Sequence, residues 1–179
     1  MRSVITAIFA VKRLFEGIRR RLRQWVFRRI LGTLGPGAII DRDVTLFNPE
    51  NIFIGNNVSI NREVVLQGSE TAGITIGNSC TLSYRTMLLT AGLQIPFTEA
   101  DRQHSYKDIV IGDNVWLCAG VIVLPGSVIE DNVVVAAGAV VSGHLESGWY
   151  YGGVPAKPLK PIPASGERHT AETNGNMGR

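Results

Sequence analysis

The 179-residue chain is predicted to be an all-β solenoid, a parallel β-helix of six-residue repeats, preceded by an amphipathic α-helix. Three observations predict it. Between Ile111 and Glu146 one six-spaced column is wholly aliphatic: Ile111, Leu117, Val123, Ile129, Val135 and Val141. Four residues after each comes an apolar or small residue: Val115, Val121, Ser127, Val133, Ala139 and Leu145. Residues 1–31 obey a different rule, with apolar residues at alternating steps of three and four. A period of six does not fit an amphipathic helix, so each hexad reads as a short strand followed by a corner. Three corners close one triangular coil, and coils stack on one another. Residues 111–146 thus supply two full coils.

In the amino-terminal segment, Val4, Ile8, Val11, Phe15, Ile18, Leu22 and Trp25 form one apolar stripe on a helix. The other face carries Lys12, Arg13, Arg19, Arg20, Arg21, Arg23, Arg28 and Arg29 against a single acid, Glu16. With Arg2 the segment holds nine of the 18 basic residues and has a charge of +8, leaving −5 on the remainder. The formal +3 therefore hides a divided molecule. Basic residues follow Val4–Val11 where a secretory signal would need small residues for cleavage. The apolar run also falls short of the roughly 20 residues that span a bilayer. Two readings stay open. The helix lies on an anionic cytoplasmic leaflet with its arginines toward headgroups, or it covers the first coil, since solenoid ends need capping. The apolar stripe argues against a nucleic-acid partner.

The hexads continue upstream of the clearest stretch. Ile40 and Leu46, with Val44, make an incomplete opening coil. Ile54, Ile60 and Leu66 form the next, with Val58 and Val64 as inward partners, and Ile76, Leu82 and Leu88 follow with Cys80, Thr86 and Gly92. Coils open on Ile54-Gly55-Asn56-Asn57, Ile76-Gly77-Asn78-Ser79, Ile111-Gly112-Asp113-Asn114 and Ile129-Glu130-Asp131-Asn132. Gly, Asn and Asp tolerate the left-handed conformation that a tight corner needs. The count breaks after Glu50, Ser69 and Leu93, where insertions become loops while the core continues. The expected division is a helix over 1–31, a β-helix over 32–162 and a disordered polar tail over 163–179.

Cys80 and Cys118 form no CxxC motif, and Cys80 falls at an inward position that suits a small apolar residue. Neither a disulfide framework nor a zinc site is implied, which fits a reducing cytoplasm. His104, His144 and His169 are not spaced to hold a metal, so none is expected. His144, on the last hexad, and His169, in the tail, read as structural or solvent-exposed.

The hexads, Val115-Trp116, Leu124-Pro125-Gly126, Ala137-Gly138-Ala139-Val140-Val141 and Gly152-Gly153-Val154-Pro155-Ala156-Lys157 together resemble the hexapeptide-repeat acyltransferases. The likeness is greatest to the sugar O-acetyltransferases of the maltose and galactoside type and of polysaccharide gene clusters, and covers about residues 40 to 162. The resemblance implies a left-handed β-helix, a homotrimer, and active sites in grooves between subunits. It also implies acetyl transfer from acetyl-CoA, as co-substrate, to a hydroxyl, without a metal. A histidine removes the hydroxyl proton as the oxygen attacks the thioester, and backbone N–H groups hold the oxyanion.

Ala119-Gly120 and Ala137-Gly138 lie 18 residues apart, one coil, so they should stack and let an extended pantetheine approach the backbone. By resemblance, Ala119 and Ala137 are coenzyme-contact positions. By the same resemblance Ser142 and Gly143 are coenzyme-binding positions, standing where the family often has Thr-Lys and so lacking one cation; Lys157 and Lys160 match basic positions near the coenzyme's 3′-phosphate, and Trp116 serves packing between subunits or substrate. The family's usual base position falls on Leu93, which cannot take a proton. The insertion that begins there carries His104, the candidate base, with Asp101 as a candidate orienting group. The expected function is O-acetylation of a sugar, with a lipid-linked envelope-polysaccharide precursor as acceptor. Acetylation of an amino sugar, amino acid or xenobiotic is the second reading. A catalytically inactive scaffold, favoured by Leu93, is the third.

Overall fold

A computed structural model describes residues 17, 19, 21–94 and 103–163 of the chain. Val4, Ile8, Val11, Phe15, Ile18, Asp101, His169 and residues 164–179 lie outside the described residues.

The chain winds as a left-handed β-helix of about six coils, each contributing a short strand to three flat faces. Face 1 stacks Thr33–Leu34, Ile52–Ile54, Ile74–Ile76, Ile109–Ile111, Val128–Ile129 and His144–Leu145. Face 2 stacks Ile39–Ile40, Ser59–Ile60, Thr81–Leu82, Trp116–Leu117, Val134–Val135 and Trp149–Gly152, with Lys157–Pro161 added antiparallel at its end. Face 3 stacks Thr45–Phe47, Val65–Gln67, Met87–Leu89, Ile122–Val123 and Val140–Val141. All stacking between coils is parallel and places like residues over like: Ile54 on Ile76, Ile76 on Ile111, Ile111 on Ile129. The opening coil is complete, because Thr33–Leu34 pairs with Phe53–Ile54 ahead of the expected Ile40 and Leu46.

Every aliphatic residue of the six-spaced column from Ile111 to Val141 is buried, as are all six of its partners. Burial of each Val, Leu or Ile among them contributes roughly 1.5–3 kcal/mol. The polar members are satisfied from within. Ser127 Oγ donates to the Leu124 carbonyl at 2.7 Å and Thr86 Oγ1 to that of Ser83 at 2.8 Å. Two expected details differ. Gly92 is half-buried in a hairpin, and Thr90 takes the interior place, its Oγ1 2.7 Å from the Gln67 carbonyl. Leu145 is interior, but it stacks on Ile129 in face 1. The turn after Val141 is two residues shorter than a hexad.

Corner lengths follow a rule. From face 1 to face 2 the interior residues are always six apart, as in Ile54 to Ile60 and Leu145 to Tyr151. From face 2 to face 3 they are again six apart, as in Ile40 to Leu46 and Val135 to Val141. Only the return to face 1 varies. It takes eight residues from Leu46 to Ile54, ten from Leu66 to Ile76, 23 from Leu88 to Ile111, six from Val123 to Ile129 and four from Val141 to Leu145.

The coil-opening glycines have a different cause from the expected one. The left-handed position at the corner between faces 1 and 2 belongs to the residue two places later: Asn57, Ser79, Asn114 and Asn132, with φ of 55° to 56°. Gly77 instead has no room for a side chain, since a Cβ there would lie 2.6 Å from the Gly112 carbonyl carbon and oxygen.

The described helix ends at Ile30 and sits against the first coil. Phe27 packs on the core, and Gln24 Nε2 donates to the Ile40 carbonyl at 2.8 Å. Leu22 and Trp25, on the expected apolar stripe, are 61% and 55% exposed in the single chain, with the Arg29 guanidinium 5.0 Å from the Trp25 ring centroid. The helix does cover the coil, but with a neighbouring face.

Candidate functional site

The edge between faces 2 and 3 is built from one repeated corner. Interior registry aligns Arg42, Arg62, Tyr84, Ala119 and Ala137 along it, followed by Asp43, Glu63, Arg85, Gly120 and Gly138. All five of the second column are left-handed, with φ between 60° and 71°. The Gly138 amide donates to the Ala119 carbonyl at 2.9 Å, and that of Gly120 to the Tyr84 carbonyl at 2.9 Å. Ala119-Gly120 and Ala137-Gly138 therefore stack as expected. Because these corners carry nothing larger than a methyl group, the upper half of the edge is a trough, and its lower half bears long side chains. Cys118 lies beside Ala119, its thiol pushed above the ordinary range by burial, so it stays protonated at neutral pH.

The trough's upper end is closed by the last coil. After Gly152 the chain turns through Gly153, whose carbonyl accepts from the Val140 amide at 3.0 Å, and Ala156 donates to the Val140 carbonyl at 2.8 Å. Lys157 then pairs with Gly152, which places it at this same edge, exposed, and it makes no ion pair among the described residues. Lys160 lies three residues further on, its Nζ 5.1 Å from the Tyr150 ring centroid.

His104 is on the opposite side of face 3. The 23-residue return folds back as a hairpin of Ala91–Leu93 and His104–Tyr106. The Gln94 amide donates to the Gln103 carbonyl at 3.0 Å, and the Lys107 amide to that of Thr90 at 2.9 Å. That alternation makes Leu93 and His104 a directly opposed, non-hydrogen-bonded pair, the closer of the two antiparallel arrangements, with both side chains on one face. The imidazole thus sits beside the residue that occupies the expected base position. It is exposed, and its ring stacks on Tyr106 at 6.0 Å between centroids and 23° between planes. The sequence count alone could not reveal the adjacency, because it depends on how the insertion pairs with itself.

Ser142 and Gly143 also lie on the edge between faces 3 and 1, away from Ala119 and Ala137. His144 follows on face 1, its Nε2 2.8 Å from Glu130 Oε1, while the Ser147 amide donates to Glu130 Oε2 at 2.9 Å. The Ser147 amide and the His144 ring hold the Glu130 carboxyl below its usual range. His144 is thereby tied into a link between successive coils.

Trp116 stands on face 2, 51% exposed, its indole Nε1 donating to Ser83 Oγ at 3.0 Å. It lines a groove of about 560 Å³ with Ser79, Thr81, Asn114, Asn132 and Ile162. The candidate residues are thus distributed over two edges and one face, and His104 does not meet Ala119, Ala137 or Lys157 within one chain. Among the described residues no group of three or more His, Cys, Asp or Glu side chains could hold a metal ion.

Residues 108–143 match the family described as bacterial transferase hexapeptide (six repeats). Among curated proteins, the chain is 27% identical over 141 residues to the galactoside O-acetyltransferase of Escherichia coli K12, covering 78% of this chain and 68% of that one. It is 34% identical over 139 residues to the same organism's "Putative lipopolysaccharide biosynthesis O-acetyl transferase WbbJ", covering 72% and 67%. Among solved structures, the hexapeptide-repeat acetyltransferase VCA0836 of Vibrio cholerae, complexed with acetyl coenzyme A, superposes with a TM-score of 0.75 at 29% identity, over 80% of this chain and 78% of that one.

Proposed function

This chain belongs to the hexapeptide-repeat acyltransferases, and on that premise we propose that it transfers an acetyl group from acetyl-CoA to a sugar hydroxyl, as a homotrimer. The observation that carries the reading is the placement of an imidazole and a small-residue trough on the two edges that bound face 3. Two copies meeting edge to edge would bring one chain's His104 to its neighbour's Ala119, Ala137 and Lys157, which no single chain can do. The similar solved protein holds acetyl coenzyme A, and the exposed backbone at Gly120 and Gly138 suits an extended thioester carrier.

In the reaction the acceptor oxygen attacks the thioester carbonyl carbon. A C–O bond forms, the C–S bond breaks, and the hydroxyl proton passes to His104 and then to the departing sulfur. Removing such a base costs about 10²–10⁴-fold in rate. His104→Ala should therefore lower kcat by about that factor in a thiol-release assay across a glycan panel, while calorimetry still detects coenzyme A binding. Full activity in the variant excludes His104 as base. Coenzyme A binding without transfer to any hydroxyl points to an amino acceptor. No binding leaves the scaffold reading, which Leu93 favours.

The proposal extends to place and organisation. Residues 1–31 act as a basic membrane-surface helix on the inner leaflet, residues 32–162 as the acyltransferase and residues 163–179 as a tail. The exposed Leu22 and Trp25 beside Arg21, Arg28 and Arg29 support this reading. A lipid-linked envelope-polysaccharide precursor is then the acceptor such a location suits, in keeping with the lipopolysaccharide relative.

A further inference from the structure

We infer that Tyr84 is the end wall of the thioester trough and restricts the transferred group to a short acyl chain. The inference rests on the coenzyme reading above and adds the residue that sets acyl selectivity.

Tyr84 occupies the same corner position as Ala119 and Ala137, one coil below Ala119. Its side chain leaves the edge in the direction of their methyl groups and is 54% exposed, so it rises where the small-residue floor stops. The corner is rigidly placed. The Tyr84 carbonyl accepts from Gly120, and the next residue, Arg85, is held by Glu63 at 2.7 Å. Ser83, on the other side, receives the Trp116 indole, so a second aromatic ring is fixed beside the foot of the trough.

Charge sets the direction of the coenzyme. At and below the wall, Arg85, Arg62 and Arg42 each have a carboxylate partner: Glu63 at 2.7 Å, Asp41 at 3.2 Å and Asp43 at 3.7 Å. Lys157, above the trough, has none among the described residues. A phosphate-bearing carrier therefore lies with its phosphates toward Lys157 and its thioester toward Tyr84. Stacked coils are about 4.8 Å apart, so some 14 Å separates the two ends. An acyl chain longer than acetyl would run into the phenol.

The test is calorimetric titration of the full chain with coenzyme A, acetyl-CoA and hexanoyl-CoA. The wild type should bind acetyl-CoA at least about tenfold more tightly than hexanoyl-CoA, the discrimination a hydrophobic site makes over added methylenes. Tyr84→Ala should bring that ratio close to one, and Tyr84→Phe, which keeps the bulk, should preserve it. Ala119→Tyr moves the wall up one coil and should abolish acetyl-CoA binding in a chain that melts as the wild type does. Equal binding of both thioesters by the wild type, or an unchanged ratio in Tyr84→Ala, overturns the inference while leaving the coenzyme reading intact. A wild type that binds none of the three overturns both.

Discussion

Gly77 and Ser79 stand two residues apart and satisfy opposite demands of one corner. Gly77 has ordinary backbone torsions but no space, because the carbonyl of the next coil lies where its Cβ would be. Ser79 has space but a left-handed backbone, with φ of 56°. Gly77→Ala should therefore cost about 1–3 kcal/mol in urea unfolding, as overpacking against an unyielding backbone does. Ser79→Gly should stay within about 1 kcal/mol of the wild type, because relief of the torsion offsets the added chain entropy. At this scale the sequence was legible in residue type and less so in cause. The Ile-Gly-Asn signals mark each corner correctly, yet only coordinates separate the residue that bends from the one that must be small. His104 is a similar case. Its side-chain chemistry singled it out, and its adjacency to Leu93 came from hairpin pairing, which no six-residue count contains.

The amino-terminal helix shows where periodicity misleads. Steps of three and four identify a helix and an apolar stripe, but not which neighbour the stripe faces. Phe27, off that stripe, is the residue packed on the core, with Gln24 bonded to the Ile40 carbonyl. Leu22 and Trp25 are left outward, flanked by arginines. If they meet lipid, the full chain should co-sediment with vesicles containing anionic phosphatidylserine, and Leu22→Ser with Trp25→Ser should weaken that binding about tenfold or more, since apolar burial and charge act together. Unchanged sedimentation assigns these side chains to protein contacts. The hairpin at Ala91–Leu93 and His104–Tyr106 was equally hidden, because its two short strands carry little alternation and are separated by a long insertion.

For the molecule as a whole, the prism's interior was readable almost residue by residue, since burial repeats with the coil and each coil carries its own copy of the signal. The proposed site, divided between copies, was not readable from that repeat. It has a direct consequence for mixed assemblies. His104→Ala keeps an intact trough and Ala137→Trp keeps an intact imidazole, so each alone should be inactive. Refolded together in equal amounts, they should recover about a quarter of wild-type activity if the chain is the proposed homotrimer, because every mixed ring of three would then have one interface that joins the two sound edges. No recovery would mean that the site is not shared. The variable return from face 3 to face 1 has a broader implication. Since the other two corners never depart from six residues, all tolerance for added or deleted chain is confined to a single margin, which also bears the imidazole. Provided that Ile52, Ile74 and Ile109 keep their buried places, loops of different length can be exchanged along that margin, so the outer surface beside His104 can be rebuilt while the stacked interior columns stay as they are.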